Sequence, residues 1–450
     1  MVVALPAARS RPELTAFLAI NAAIVILVGL PGAAGWAAVL LLAVAVPLAV
    51  ALVRRPQRGL LALAALVPFN GLLILFPHPS ILNGWKEGIM LAILLATFIA
   101  PAGARAPPGG QMPGWAPAVA GLIALALASG IFVGGAQALI GLKVGFFYVL
   151  VAVAAWRCPL NGRERDRLVT ILMVVGVLTA AYGVVQQVLG GARLNALGYP
   201  YNTTIRFAGG FLRSFSTFNQ PFGFGFFMMV VLVVGLAQAL VEPGRIRNRL
   251  FLLAAPLLTL GLLSSIVRGA WLGVAVGVAY LGLSRYRVLL LLIPLGLLAV
   301  VSLPPDLAGA ALSSTSTATR TTSWQENIDQ VITSPLGVGV GASGAAAEKV
   351  AGPNGTQTFQ PDNFYFKTVL ELGVLGLWML ALLLIAAFTS ARDASRRFEG
   401  RDAALASGVA AMVLAVAAAC VVATYFEIFP MDLLFWLFLT VMARCVPASR

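Results

Sequence analysis

Apolar runs of helix length recur along this chain, separated by short segments that carry most of its charges. Of its 450 residues, 60% are hydrophobic and only 10% are charged. A run of about 20 apolar residues spans the hydrocarbon core of a bilayer as a helix, which satisfies its own backbone hydrogen bonds. A transmembrane β-barrel would show weak alternation rather than continuous runs. The pattern therefore predicts an all-α polytopic membrane protein.

The runs predict about 12–14 transmembrane helices with one large outer loop. The candidate spans are 14–30, 33–53, 60–76, 85–100, 115–133, 138–156, 168–189, 221–241, 250–266, 269–283, 288–303, 366–388, 403–425 and 429–442. They divide the chain into N-terminal helices (1–189), a smaller outer loop (190–219), central helices (220–303), the large outer loop (304–365) and C-terminal helices (366–450).

The basic residues predict the orientation of these helices. With both termini in the cytoplasm, 21 of the 30 Lys and Arg residues fall in cytoplasmic segments and eight in outer segments, while Lys143 lies inside a span. This is the bias expected of short loops in membrane proteins. The net charge of +14 is spread over these small clusters, so a nucleic-acid partner is disfavoured.

Four arginines lie on the predicted outer side, against that bias. They are Arg206 and Arg213, in the stretch Arg206-Phe-Ala-Gly-Gly-Phe-Leu-Arg213, together with Arg268 and Arg320. Arginine near an apolar run is costly and usually paired, and its planar fork of donors matches phosphate oxygens. A single such arginine more often only extends its head to the interface. The four together predict an anion site.

Asp362 and Asn363 stand where the large outer loop returns to the membrane. A carboxylate at this position can accept a proton from a sugar hydroxyl as a general base. An Asp-Asn pair before a helix is equally suited to capping its first turn. Both interpretations are compatible with the sequence.

Other charged residues carry weaker expectations. Lys143 in a span is interpreted as a counter-charge to Glu87 or to a lipid phosphate, whereas Glu427 and Asp432 are interpreted as surface or structural residues. A single histidine, His78, and three cysteines in or beside apolar runs favour neither a metal site nor a disulfide framework. No metal or cofactor is expected.

Several short motifs follow one another between residues 168 and 377. They are Arg206–Gln220 running into Pro221-Phe-Gly223, Ser264–Trp271, Arg320–Trp324, Ser334-Pro-Leu-Gly-Val-Gly339, and Asp362-Asn363 followed by Gly373 and Gly376. Their order and predicted topology resemble the O-antigen ligase and polymerase superfamily of bacterial envelope glycan assembly. The last motif matches the pattern of the ligases except at Asp362, where that pattern has histidine. This departure favours the polysaccharide polymerases of the superfamily.

The resemblance implies a glycosyltransferase in the bacterial inner membrane. It would transfer oligosaccharide from an undecaprenyl-diphosphate donor to a glycan or lipid acceptor at the periplasmic face, without a metal and with inversion. It implies that Arg206, Arg213, Arg268 and Arg320 bind the diphosphate, and that Asp362 orients or deprotonates the acceptor with help from Asn363. Membrane lipid and a chain-length regulator or other envelope assembly proteins are the implied partners.

Three alternatives stay open. An O-antigen ligase and a protein O-oligosaccharyltransferase would use the same donor with another acceptor. A flippase or transporter of lipid-linked glycan would account for the spans, but it would account poorly for the large outer loop.

Overall fold

The computed structural model describes residues 49–106, 112–292, 294, 296, 298, 331–352 and 361–445. The predicted span 14–30, most of 33–53 and much of the large outer loop lie outside the described residues. Arg320 and its motif lie outside them as well.

The described residues are organised as α-helices with one short hairpin. The helices are α1 (Pro56–Leu66, continued by a 3-10 helix, Val67–Leu75), α2 (Trp85–Ile99), α3 (Ala116–Val133), α4 (Gly135–Phe146), α5 (Val149–Arg157), α6 (Gly162–Ala196), α7 (Pro221–Ala239), α8 (Ile246–Ser264), α9 (Arg268–Ser284), α10 (Gly344–Ala351), α11 (Phe364–Arg397), α12 (Gly400–Cys420) and α13 (Met431–Ala443). Strands β1 (Arg206–Ala208) and β2 (Phe211–Arg213) form an antiparallel hairpin.

The predicted class, an all-α polytopic membrane protein, is confirmed. Within the described part of the chain, seven helical segments are long and apolar enough to cross a membrane, or eight if the bent pair α4–α5 forms one span. The predicted span 138–156 is therefore not one straight helix, because α4 and α5 meet at 51°. The total of 12–14 stays a prediction.

Helices α7 and α12 form the centre of the bundle. Helix α7 packs against α6, α8, α9 and α12, and α12 packs against α7, α9 and α11. Both are apolar on nearly every side, and α7 is buried along almost its whole length. A helix with apolar residues all round is stable only when other helices or lipid surround it.

Three glycines let α9 approach these two central helices closely. Gly269, Gly273 and Gly277 are spaced four residues apart on one face of α9. A Cβ at Gly273 would lie 2.2 Å from the Met229 sulfur and 2.9 Å from the Ala415 carbonyl oxygen. Small residues at this spacing are the usual means of close helix packing in membranes.

The two ends of the bundle have different polar contacts. At one end, where the loops predicted to be cytoplasmic meet, Arg165 pairs with Asp402 and Arg245 with Asp166, both at 2.6 Å. The loops predicted to be outer meet at the opposite end. Which end faces the cytoplasm stays a prediction.

Replacing Gly273 with alanine should destabilise the protein by about 1–3 kcal/mol, the usual cost of adding a methyl group to a filled core. The matched control is Gly88→Ala in α2, where an added Cβ meets nothing within 4 Å. Thermal unfolding in detergent measures both variants. Equal unfolding temperatures would contradict close α9 packing.

Candidate functional site

Helix α11 is broken at Gly373, and a turn from the middle of the large outer loop (residues 335–339) packs into the break. Gly373 has φ of 69° and ψ of −173°, a conformation that residues with a Cβ rarely adopt. A Cβ there would lie 2.6 Å from the Pro335 carbonyl oxygen. That same oxygen accepts a hydrogen bond from the Val374 N–H at 3.1 Å.

The turn also satisfies backbone acceptors that the break leaves in α11. The Val338 N–H donates to the Leu370 carbonyl at 2.8 Å, and the Gly339 N–H donates to the Glu371 carbonyl at 3.0 Å. Buried backbone groups need such partners, most of all at membrane depth. The Pro-Leu-Gly-Val-Gly motif and Gly373 are therefore two halves of one structural unit.

Asn363 caps the first turn of α11. Its side-chain oxygen accepts hydrogen bonds from the N–H groups of Tyr365 at 2.8 Å and Phe366 at 3.2 Å. The capping interpretation is thus confirmed for Asn363. Asp362 precedes it with an exposed side chain at the helix N-terminus, at the end of the bundle predicted to be outer.

The hairpin brings Arg206 and Arg213 directly opposite each other. They are register partners across β1 and β2, so their side chains lie on the same face. The Arg206 Nε donates to the Thr203 carbonyl at 3.1 Å. Arg213 lies over the Phe222 ring, 4.9 Å from its centroid, and its Nε donates to the Ser265 carbonyl at 3.3 Å.

Two glutamines of α6 hold β2 and the residues that follow it. The Gln186 Oε1 accepts from the Ser216 N–H at 2.7 Å, and the Gln187 Nε2 donates to the Leu212 carbonyl at 2.8 Å. These contacts fix β2 and the residues after it against α6.

The hairpin also contacts the turn where α8 ends and α9 begins. The Ser214 N–H donates to the Ser264 carbonyl at 2.9 Å, and Arg268 is the first residue of α9. Arg213 and Arg268 therefore belong to adjoining elements, and Arg206 is bound to the same unit by the hairpin.

A polar cavity of about 520 Å³ opens at the same end of the bundle. Charged, amide and aromatic side chains from well-separated segments line it: Lys86, Lys143, Lys349, Glu87, Glu427, Asp432, Asn70, Asn83, Asn219, Tyr148 and Phe429. Arg206, Arg213 and Arg268, the three candidate arginines that the structure describes, are not among these lining residues, and neither is Asp362. Asn219 connects the two regions, since it follows Arg213 by six residues.

The ion pairs around the cavity include one that the sequence predicted. The Lys143 Nζ lies 3.0 Å from Glu87 Oε1, so the interpretation of Lys143 as a counter-charge to Glu87 is confirmed. Lys86 lies 3.5 Å from the other oxygen of Glu87 and 5.0 Å from the centre of the Phe429 ring. The side chain of Lys143 remains 55% exposed.

A buried cluster of charged residues adjoins the cavity. The Lys367 Nζ pairs with Glu371 and lies 3.3 Å from Glu427 Oε1. The Ser343 hydroxyl donates to Glu371 at 2.9 Å. Burial raises the pKa of the Glu427 carboxyl above its ordinary value, and the charge of Lys367 opposes this rise. The Glu427 side chain is only 4% exposed and Asp432 is buried, so of the two expectations, surface or structural residues, the surface one is wrong.

A protein-family model described as O-antigen ligase matches residues 250–381. This match supports the O-antigen ligase and polymerase superfamily. No curated protein sequence matches the chain.

The match supports a membrane glycan ligase or polymerase kind of function, with glycosyltransferase-type activity. It implies a lipid-linked glycan donor and a glycan acceptor. The matched region runs from α8 into α11 and includes Arg268, Asp362 and the break at Gly373. The hairpin and much of the cavity lining lie outside that region.

Sequence reasoning missed the cavity because its lining comes from segments between Asn70 and Asp432. The available signal was the set of charges inside or beside apolar runs, above all Lys86 with Glu87 and Lys367 with Glu371. Ionisable residues at such positions are functional candidates by default.

Replacing Gly373 with alanine should release the docked turn, because the new Cβ would overlap the Pro335 carbonyl. The matched control is Gly352→Ala, which also has positive φ (68°) but meets nothing within 4 Å. We expect Gly373→Ala to accelerate proteolysis within residues 331–352 and to lower the unfolding temperature more than the control does. Identical cleavage rates would show that the break does not depend on this contact.

Proposed function

We propose that this protein polymerises oligosaccharide units carried on undecaprenyl diphosphate, at the periplasmic face of the bacterial inner membrane. The observation that carries the proposal is the charged cavity of about 520 Å³, which opens at the same end of a membrane bundle as the arginine hairpin and Asp362. A volume of this size suits a small polar ligand such as one or a few sugar rings.

Arg206, Arg213 and Arg268, together with Arg320 of the large outer loop, would bind the diphosphate. Like charges directly opposite on a hairpin are destabilising, and an anion between Arg206 and Arg213 would relieve that repulsion. Guanidinium groups would also stabilise the negative charge that develops on the leaving diphosphate. They remain charged at any physiological pH, so this step needs no metal.

Asp362 would orient the acceptor from the open side of the site. Its exposed position at the start of α11 leaves it accessible to a glycan, and Asn363 fixes the backbone there by capping the helix. Direct attack of the acceptor hydroxyl on the anomeric carbon of the donor would invert the configuration at that carbon.

A ligase is the second candidate, and the description of the matching family favours it. It would share the donor and the diphosphate site but would transfer a finished chain to a lipid acceptor. The histidine expected of ligases is absent at Asp362, which favours the polymerase.

Replacing Asp362 with alanine tests the function in cells that depend on this chain for their envelope glycan. We expect normal protein levels with accumulation of single repeat units, because the acceptor is no longer held. The control is Glu348→Gln, an exposed carboxylate at the same end, which should leave chain length unchanged.

Deletion of this protein distinguishes the candidate functions by the glycan that accumulates. Single repeat units on the carrier support a polymerase, whereas long chains left on the carrier support a ligase. Glycan confined to the inner leaflet would overturn both in favour of a flippase. Normal chains in the Asp362→Ala variant would remove Asp362 from the site.

Replacing Arg213 with lysine should raise the KM for the lipid-linked donor about tenfold, since an ammonium group lacks the planar fork of donors. Arg249→Lys is the matched control, because Arg249 is an exposed arginine at the opposite end of the bundle. The rate of transfer by each purified variant, measured at varied donor concentration, gives its KM. An unchanged KM for Arg213→Lys would place the diphosphate elsewhere.

A further inference from the structure

Glu427 is a buried carboxylate that reaches the polar cavity from the loop between α12 and α13. It ends the short 3-10 turn Tyr425–Glu427, and its side chain is 4% exposed. Its Oε1 lies 3.3 Å from the Lys367 Nζ. Its Oε2 accepts no hydrogen bond of ordinary geometry among the described residues, while the Ala345 backbone interacts with the carboxylate and lowers its pKa.

An unpaired buried carboxylate oxygen is costly, so its position calls for a partner that the described residues do not supply. A second orphan on the cavity wall is the buried Tyr148 hydroxyl, which also lacks a hydrogen-bond partner in the described part of the chain. A carboxylate oxygen accepts and a phenol both donates and accepts. Together they match the hydroxyl groups of a sugar.

The other cavity carboxylates are less suited to accept a proton from a ligand. The Glu87 Oε2 also lacks a hydrogen-bond partner among the described residues, but Glu87 lies between Lys86 and Lys143 and contacts both. The Asp432 Oδ1 accepts from the Leu433 N–H at 2.8 Å, within its own helix turn. Glu427 is thus the carboxylate that combines a single lysine neighbour with an unsatisfied oxygen at the cavity.

We propose that Glu427 is the catalytic base of the transfer and that the cavity holds the acceptor sugar. This inference rests on the proposed glycosyltransferase function. The acceptor hydroxyl oxygen forms a bond to the anomeric carbon of the donor, and the bond from that carbon to the diphosphate oxygen breaks. The electron pair leaves with the diphosphate, and the hydroxyl proton moves to Glu427 Oε2.

Lys367 and Glu371 would act as positioning residues. Lys367 contacts both carboxylates and the Ser343 carbonyl at 3.3 Å, so it holds Glu427 in one orientation. The ion pair with Glu371 remains when Glu427 takes up the proton, and Lys367 is then still neutralised. Burial also raises the pKa of the Glu427 carboxyl above its ordinary value, which makes the carboxylate a stronger base.

The Glu427→Gln variant tests the assignment, because it keeps the size of the side chain and removes the base. Purified protein in detergent is given undecaprenyl-diphosphate-linked repeat units extracted from the producing strain, and formation of the dimer of repeats is followed. We expect kcat to fall at least 100-fold, while the KM for donor stays within about threefold. Glu348→Gln should retain the wild-type kcat.

The outcomes distinguish failure of the proposed glycosyltransferase function from failure of the assignment of Glu427 as the base. If the wild-type protein forms no dimer, the proposed function fails. If the wild type is active and folded Glu427→Gln retains its kcat within about threefold, Glu427 is not the base. A matched loss of unfolding temperature and donor binding would indicate a structural role and overturn the assignment.

Labelling of the wild-type protein decides the question if Glu427→Gln does not fold. A hydrophobic carbodiimide should modify Glu427, and transfer should be lost in proportion to that modification. The lipid-linked repeat unit, present during labelling, should slow the reaction. Full activity after complete modification of Glu427, or absence of modification, would overturn the assignment.

Discussion

The described part of the site depends on how the chain satisfies a break in a membrane helix. A break exposes N–H and C=O groups that lipid cannot satisfy. Here the residues 335–339 supply the missing partners to Leu370, Glu371 and Val374. Because the outer loop is fixed by these bonds, Ser343 reaches Glu371, and Glu371 in turn meets Lys367. The same contacts that satisfy the backbone at the break therefore also position the buried charged residues.

Burying these charges sets the second constraint. One lysine, Lys367, faces two carboxylates, and an ion pair in a low-dielectric interior offsets its desolvation only when further hydrogen bonds complete it. Glu371 receives such bonds from Ser343, whereas Glu427 receives fewer and is turned to the cavity. This difference in hydrogen bonding suits Glu371 to a structural role and Glu427 to the proposed reactive one.

The sequence was sufficient for the fold class and for local features with a short-range cause. Continuous apolar runs predicted membrane helices. A cap at Asp362-Asn363 and a counter-charge between Lys143 and Glu87 were each one of two interpretations of the sequence. The bend between α4 and α5 was not predictable from the unbroken apolar run at 138–156, since the hydropathy of a segment does not show whether its helix is bent. Nor was the burial of Glu427, because a carboxylate near a predicted loop is buried only when distant helices surround it.

The short connection between the arginine hairpin and the cavity limits how much of a bound glycan these two regions can contact. Six residues separate Arg213 from Asn219, a distance of roughly 20 Å at full extension. A diphosphate at the hairpin and a sugar in the cavity would thus be neighbours on one glycan junction. The site would then sense only the units being joined, while the rest of the polymer lies outside it. The described residues would then play no part in setting the final length of the glycan.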